Sequence, residues 1–146
     1  MRNLFILLTV LMLPFALFAQ GWQWLYPYPT TNRVIDFYFI DKDNGFIIAE
    51  NGEILSTNDG CTTWKSTTME DITLIDIFSY DENNAWILGK ENSGWSSTGV
   101  LFRTVDGGIT WNRHDLSSRS CKCLFFISET KGWIAGAYGD IKMTNN

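Results

Sequence analysis

The chain has 146 residues, of which 45% are hydrophobic and 15% aromatic, and its formal net charge is −5. Only 18% of its residues are charged, and so low a fraction beside so many aromatic residues excludes an intrinsically disordered chain. The acidic balance argues against binding to nucleic acid or to an anionic lipid surface. We therefore expect a folded, β-rich protein.

Residues 1–19 are typical of a cleaved secretory signal. Arg2 supplies the positive start, an apolar run extends from Leu4 to Leu13, and Ala19 provides a small residue at the cut. The apolar run is shorter than the roughly 20 residues that cross a bilayer. We predict export to the extracellular space, the cell surface or the periplasm, with no membrane span after cleavage. A retained N-terminal anchor is the alternative.

From residue 34 onwards, one pattern of short strands recurs. An apolar–Asp–apolar strand covers residues 35–37 and returns at 75–77, and an apolar segment at 124–127 is its third copy. The strand that follows begins with Gly45, Ala85 and Gly132 in turn, at intervals of 40 and 47 residues. Third strands end on threonine, and fourth strands begin at tryptophan. Four short strands in a period of about 40 residues indicate a repeated β-sheet.

Two Asn-Gly pairs, Asn44-Gly45 and Asn51-Gly52, are predicted to form tight hairpins, which require positive φ angles. No stretch of the chain has the spacing of a substantial amphipathic helix.

The most specific motif lies between the third and fourth strands. An aspartate that opens such a turn can accept backbone N–H bonds, glycine supplies the unusual φ angles, and the tryptophan can pack between neighbouring sheets. We interpret these residues as structural. The first copy contains Thr57, Asp59, Gly60 and Trp64, and the second contains Thr104, Asp106, Gly107, Gly108 and Trp111.

Both copies resemble the Asp-box, or BNR repeat, whose consensus is Ser/Thr-x-Asp-Gly-Gly-x-Thr-Trp. Together with the Gly-Trp-Ile-Ala-Gly strand at residues 132–136, the chain is similar to the photosystem II stability/assembly factor-like propellers. Such domains also occur in exported cargo of the type nine secretion system. Cys61 departs from the consensus by replacing the second glycine, so we expect that turn to be strained or rebuilt. Asn146 stands at the aspartate position of the third copy.

The predicted fold is therefore all-β, a partial β-propeller of about three four-stranded blades that spans residues 20–146. Blade 1 is predicted at about 34–66, blade 2 at about 72–113 and blade 3 at about 121–146. We expect an open arc whose third blade is truncated, and hence a fragment of a longer protein. The segment Trp22-Gln23-Trp24-Leu25 resembles the outermost strand that closes a ring by completing its last blade.

The cysteines and the single histidine give no indication of a metal site or a cofactor. Cys61, Cys121 and Cys123 form an odd set, which predicts a free thiol or a partner in missing sequence. Cys121 and Cys123 are expected to share a strand face, too far apart to bridge easily.

Candidate binding residues are predicted on the propeller face that carries the loops between second and third strands and the crossovers between blades. A seven-residue insertion there presents an indole that could stack on a sugar ring or dock a peptide. For the tryptophan of the insertion, the alternative is that it folds back to cover the blade edge, and for the charged residues the alternative is a solvated rim. The candidates are Glu70, Asp71, Glu91, Trp95, His114 and Asp115.

No catalytic residue is predicted, because no nucleophile, paired acid or metal set is visible. We expect a non-enzymatic module that binds a protein or carbohydrate partner or acts as a scaffold. The alternative is a glycoside hydrolase propeller of the sialidase or xyloglucanase type, which would require two carboxylates facing each other across the mouth of the propeller. A direct role in photosystem assembly is a third possibility and requires a photosynthetic source.

Overall fold

The structure is a computed structural model that describes residues 21–22, 24–91, 98–117 and 120–145. Two one-turn 3-10 segments, Glu50–Gly52 and Ala137–Gly139, lie between strands. The strands of the described part are, in chain order, β1 Val34–Phe39, β2 Gly45–Ala49, β3 Glu53–Thr57, β4 Lys65–Thr68, β5 Ile72–Ser79, β6 Ala85–Glu91, β7 Thr98–Thr104, β8 Asn112–Asp115, β9 Cys121–Phe126, β10 Gly132–Gly136 and β11 Ile141–Thr144.

These strands form three antiparallel sheets with the topology of propeller blades. Strands β1–β4 form blade 1, β5–β8 form blade 2, and both sheets follow chain order. Strands β9–β11 form blade 3, with β11 at one edge. The first strands of successive sheets contact one another, β1 with β5 and β5 with β9, so they lie innermost. The predicted all-β, partial propeller is confirmed.

The core lies between the blades. Blade 1 contributes Phe46 and Ile48 to a cluster that includes Ile77 and Val100 of blade 2. A second cluster joins blades 2 and 3, where the indole of Trp86 stacks on the ring of Phe126 with centroids 4.0 Å apart. Because blade 2 packs against a neighbour on each face, the first five residues of its second strand are all buried rather than alternately buried and exposed.

The first residue of each second strand is small and pairs with the last residue of the first strand. In blades 1 and 3 that partner is large, and in blade 2 it is small. A Cβ atom on Gly132 would lie 2.5 Å from Cδ1 of Phe126, so the phenyl ring excludes a side chain there. The matched pairs are Phe39 with Gly45, Ser79 with Ala85, and Phe126 with Gly132.

The two Asn-Gly pairs behave differently. Asn51 and Gly52 have φ angles of 63° and 72° and form the predicted tight hairpin. The prediction for Asn44-Gly45 is wrong, because neither residue has a positive φ angle and Gly45 is the first residue of β2. That turn is stabilised by Asp41, whose carboxylate accepts backbone N–H bonds from Asp43 and Asn44, each of 2.7 Å.

Candidate functional site

The two Asp-box hairpins share one hydrogen-bond pattern. In the second, Asp106 Oδ1 accepts from Thr104 Oγ1 at 2.7 Å and from the Thr110 backbone N–H at 2.9 Å, and Asp106 Oδ2 accepts from Thr110 Oγ1 at 2.6 Å. The bonds from Thr110 and Thr104 lower the pKa of Asp106 to about 2. Asp59 accepts the corresponding bonds, chiefly from Thr63, which lower its pKa as well.

The hairpins differ in what they pack against. Trp111 lies edge-on to Phe46 of blade 1, with ring centroids 6.2 Å apart, and so joins two blades. Trp64 lies edge-on to Phe39 of its own blade at 6.4 Å. Gly108 is part of the contact between blades, since a Cβ atom there would lie 2.9 Å from Cε1 of Phe46.

Cys61 occupies the position of Gly108 without rebuilding the turn. Its backbone N–H donates to Thr57 Oγ1 at 3.1 Å, as that of Gly108 donates to Thr104 Oγ1 at 2.9 Å. Its φ angle is 69°, a left-handed conformation that costs a residue with a side chain roughly 1–2 kcal/mol. The first Asp-box is therefore strained.

Backbone hydrogen bonds assign the turns to the two ends of the blades. The N–H groups of Gly60 and Gly107 donate to the carbonyls of Asp43 and Asn83, so each Asp-box lies beside the first hairpin of its own blade. At the opposite end, the backbone N–H of Met69, in the crossover from blade 1 to blade 2, donates to the carbonyl of Gly52 at 2.9 Å. We call that opposite end, with its second-to-third-strand turns and its crossovers, the crossover face.

Three charged side chains of blade 2 meet at the crossover face. The Arg113 guanidinium donates to Glu91 Oε2 and to Asp115 Oδ1, both at 2.7 Å. The two carboxylates raise the pKa of Arg113, with Glu91 as the larger cause. Glu91 and Asp115 were predicted from the sequence and Arg113 was not, although Arg113 and Asp115 share a strand face by their spacing of two. These three residues form the Arg113 cluster.

The other predicted binding residues lie at different places. Glu70 and Asp71 are exposed in the crossover that precedes β5, whose first residue pairs with Glu91. His114 is also exposed but points to the side of blade 2 that faces blade 3, because successive strand residues alternate. Trp95 lies outside the described residues.

A cleft of about 420 Å³ separates the outer parts of blades 2 and 3. The Arg103 guanidinium lies 5.4 Å from the centre of the Trp86 ring in its wall. Arg103 Nε is buried and has no hydrogen-bond partner in the described part of the chain. Apolar and basic side chains line the cleft, among them Trp86, Leu101, Arg103, His114, Phe126 and Lys142.

A β-bulge recurs in each innermost strand. Strand pairing shows one extra residue at Ile35 in β1, at Ile75 in β5 and at Lys122 in β9. Bulges redirect the side chain that follows them, and here that side chain is Asp36 in blade 1 and Asp76 in blade 2. The residue after the bulge lies nine residues before the first residue of the second strand in all three blades, so this spacing could have identified it from the sequence.

These inner aspartates connect neighbouring blades. Asp36 Oδ2 accepts the backbone N–H of Ile77 at 3.3 Å, and Asp76 Oδ2 accepts that of Leu124 at 2.7 Å. Burial, together with a hydrogen bond to Asp36, raises the pKa of Asp76 to about 6, although the bond from the Leu124 N–H acts in the opposite direction. Asp76 therefore holds a proton at a pH where the Asp-box carboxylates are charged.

In blade 3 the same position is held by Cys123, which corrects two expectations. The segment 124–127 is not aligned with the first strands of the other blades, because Phe126 pairs with Gly132 as Phe39 pairs with Gly45. Cys121 and Cys123 do not share a face, since the bulge between them leaves Cys121 buried in the core and Cys123 exposed. Both are free thiols, as is Cys61.

Among the residues that the structure describes, no group of three His, Cys, Asp or Glu side chains could hold a metal ion. The same residues include no helix that is long and apolar enough to cross a membrane.

The three stacked antiparallel sheets, two of them four-stranded, and the Asp-box hairpins define this protein as a partial β-propeller of the Asp-box type. The sequence profile of the family described as "Photosynthesis system II assembly factor YCF48" matches residues 16–121. The chain belongs to that family.

Named relatives of the chain are photosystem II factors. The chain is 30% identical over 102 residues to photosystem II stability/assembly factor HCF136, chloroplastic, of Arabidopsis thaliana, which covers 67% of this chain and 25% of that protein. It is 29% identical over 95 residues to photosystem II assembly lipoprotein Ycf48 of Synechococcus sp. (strain CC9902), and this alignment covers 62% of this chain and 26% of that protein. The chain thus spans about a quarter of the length of these relatives.

Solved structures agree with this assignment. "YCF48 bound to D1 peptide" aligns with a TM-score of 0.66 and 25% identity, over 81% of this chain and 38% of that one. YCF48 from Cyanidioschyzon merolae aligns with a TM-score of 0.65 and 26% identity, over 82% and 39%. The names of these proteins describe assembly or stability of photosystem II rather than a catalysed reaction.

Proposed function

We propose that this chain is a non-enzymatic, protein-binding module of an exported propeller, and that it binds an extended segment of a partner protein on its crossover face. The observation that carries the proposal is the similarity to a YCF48 structure solved with a bound peptide. A propeller presents its crossovers and longer loops as adaptable contact surface on a rigid scaffold, which suits recognition of a peptide.

The charge of this face favours a basic segment. Glu70, Asp71, Glu91 and Asp115 all lie on it or at its margin, and Arg113 neutralises only part of that charge. Complementary charge accelerates encounter and fixes the orientation of a bound partner. Trp95, predicted in the insertion of the same face, would add a stacking surface for an apolar or aromatic side chain.

The glycoside hydrolase alternative receives no support from the relatives. Within blade 2, Glu91 and Asp115 are bridged by the guanidinium of Arg113. A glycosidase needs open space between its two carboxylates for the sugar and, in inverting enzymes, a water molecule. These two carboxylates are better suited to electrostatic recognition.

Binding of peptides of graded charge tests this function. We expect a flexible peptide of positive net charge to bind more tightly than neutral or negative ones of equal length, and added salt to weaken it. The double variant Glu91→Gln, Asp115→Asn should weaken that binding about tenfold, which corresponds to about 1.4 kcal/mol. Fluorescence anisotropy with labelled peptides gives the dissociation constants.

The double variant Glu82→Gln, Glu129→Gln is the matched control, because it also removes two exposed carboxylates, from the first hairpins at the opposite end of blades 2 and 3. Trp95→Ala tests the predicted stacking contact separately. Equal affinity for all three peptides, or equal loss in the control, would reject the crossover face as the binding surface.

The photosystem II role named for the relatives is a second candidate function, favoured by family membership. Binding of a D1 peptide by this chain would support it, and failure to bind at concentrations that saturate YCF48 would oppose it. Export with cleavage after Ala19 is tested by mass spectrometry of the mature N-terminus, and a retained Met1 would contradict it.

A further inference from the structure

A second cleft lies between blades 1 and 2, at the Asp-box end of the arc. Its volume is about 360 Å³, within the range of small-molecule sites, roughly 300–1,000 Å³. Both of its walls belong to sheets that have all four strands, so its shape is determined inside the arc rather than at an end. We call it the blade 1–2 cleft. Most of its lining is polar, and the polar side chains include Ser56, Asn58, Lys65, Glu82, Asn83 and Asp106.

A serine of blade 1 makes room for this cleft. Ser56 pairs with Phe46 on one side and with Lys65 on the other, so the three side chains form a row across one face of the sheet. At the same register position of blade 2, Arg103 pairs with Trp86, and its guanidinium lies over that ring. The side chain of Ser56 is too short to cover Phe46 in this way, and the cleft occupies the space beside it.

The opposite wall consists of two turns of blade 2. The first hairpin contributes Glu82 and Asn83, and the second Asp-box contributes Asp106, Gly107 and Ile109. The backbone N–H of Gly107 donates to the carbonyl of Asn83 at 3.1 Å and holds the two turns together. Because this wall is already ordered, a ligand need not order it on binding, and the entropic cost of binding is reduced.

The charged groups at the mouth of the cleft are available to a ligand. Lys65 and Glu82 are both exposed, and neither takes part in an ion pair among the described residues. The carboxylate of Asp106 differs, because it accepts bonds within its own hairpin. The cleft therefore offers one ammonium group, one carboxylate and the exposed amides of Asn58 and Asn83.

These groups favour a ligand that is polar and uncharged. An ammonium group only donates hydrogen bonds, a carboxylate only accepts them, and a carboxamide does both. Glu82 and Asp106 would repel an anionic ligand, and Lys65 would repel a cationic one. An apolar ligand would bury these polar groups without partners, which is unfavourable. Hydroxyl groups both donate and accept, and a sugar ring carries several of them in a compact arrangement.

A peptide fits the blade 1–2 cleft less well than a sugar does. Peptides are recognised through sheet edges, apolar or aromatic grooves, and clusters of like charge. Here the polar groups come from two blades and surround a compact space rather than follow one strand. Ile109, which is 69% exposed, adds apolar surface at the rim for the C–H groups of a sugar ring.

We infer that the blade 1–2 cleft binds a neutral carbohydrate, at the end of the propeller opposite to the crossover face. Lys65 and Glu82 bind hydroxyl groups of the sugar from opposite walls of the cleft. The amides of Asn58 and Asn83 complete the hydrogen bonds. This site is separate from the peptide-binding surface proposed above, and neither depends on the other.

Titration calorimetry of the intact chain with neutral tetrasaccharides tests this site. The probes are cellotetraose, xylotetraose, maltotetraose and N-acetylchitotetraose, and we expect at least one to bind with a dissociation constant of about 1 mM or lower. An anionic sugar, tetragalacturonate, a cationic one, chitosan tetramer, and a neutral peptide, tetra-asparagine, should each bind at least about tenfold more weakly. Failure of all four neutral sugars to bind, or equal binding of any comparison ligand, would overturn the inference.

Two substitutions locate the binding. Ser56→Arg gives blade 1 the residue that blade 2 carries at the same position, and it should abolish sugar binding by filling the cleft. Asn83→Ala removes one exposed amide and should weaken sugar binding about tenfold. Thr130→Ala is the matched control and should leave the affinity unchanged, because Thr130 holds the position of Asn83 in the first hairpin of blade 3. Circular dichroism verifies that each variant is folded.

Undiminished sugar binding in folded Ser56→Arg, or an equal loss in Asn83→Ala and Thr130→Ala, would reject the cleft as the site. Ser56→Arg should keep the wild-type affinity for positively charged peptides, since the crossover face lies at the other end of the blades. A chain that binds sugar but no peptide contradicts only the proposed function. A chain that binds peptide but no sugar contradicts only this inference.

Discussion

The Asp-box hairpins and the innermost strands both carry an aspartate in blades 1 and 2, but the two kinds of aspartate act over different distances. Asp106 is bonded to threonines within four residues of it along the chain, and its pKa is lowered to about 2. Asp76 bonds Leu124 in the next blade, and burial raises its pKa to about 6. The first stabilises a hairpin as a local unit, and the second joins hairpins into an arc.

The second Asp-box is an exception because it does more than stabilise its own hairpin. Its Gly108 also contacts Phe46 of the neighbouring blade. We expect Gly108→Ala to lower the free energy of unfolding by about 2–3 kcal/mol, the sum of a left-handed alanine and a forced shift of Phe46. Urea denaturation followed by tryptophan fluorescence measures the loss. Cys61→Ala, at the same position of blade 1, is the control and should change stability far less, since a side chain is already present there.

The pH dependence of stability sharpens the comparison. A raised folded-state pKa means that Asp76 contributes stability fully below the unfolded pKa of 3.8, and that this contribution is lost as pH rises through about 6. After allowance for solvent screening of a half-exposed group, the loss between pH 4 and pH 7 is about 1–2 kcal/mol. Asp76→Asn should remove that slope in urea denaturation at successive pH values.

Asp106→Asn supplies the contrasting control for this experiment. The lowered pKa of Asp106 means that its contribution is present above pH 3.8 and lost as pH falls through about 2. Its difference from the wild type should therefore stay constant between pH 4 and pH 7. An unchanged slope in Asp76→Asn would show that Asp76 is not the titrating group.

The smallest expected effect concerns Cys61. Glycine would adopt the φ angle of 69° that Cys61 has without steric cost, but it would also give the unfolded chain more conformational freedom. Cys61→Gly should therefore raise the free energy of unfolding by only about 0.5–1 kcal/mol. Thermal unfolding should show a slightly higher midpoint. A lower midpoint would mean that the thiol makes a contact worth more than the strain.

Local motifs allowed much of this fold to be predicted from sequence. All the side-chain hydrogen bonds of an Asp-box form within eight residues. Thr57 and Asp59 therefore predict the hairpin independently of the rest of the chain. The 40-residue interval between Gly45 and Ala85 then gave the repeat. The prediction of a tight hairpin at Asn44-Gly45 was wrong, because the carboxylate of Asp41, three residues before Asn44, determines that turn.

What the sequence did not reveal depends on contacts between distant residues. The inner aspartates require the bulges at Ile35 and Ile75, which appear only when two strands are paired. Arg113 lies 22 residues from Glu91, so their ion pair required the register of a whole blade. The position of His114 apart from the Arg113 cluster likewise follows from strand alternation in the folded sheet.

The fitted pairs at the start of each second strand constrain how such a chain can be rearranged. A recombination event within the first hairpin of blades 2 and 3 would set Phe126 against Ala85 and force a collision, or set Ser79 against Gly132 and leave a hole. An exchange at the crossovers keeps both members of each pair together. Genetic shuffling of these repeats should therefore tolerate breakpoints at the crossovers and reject them inside the hairpins.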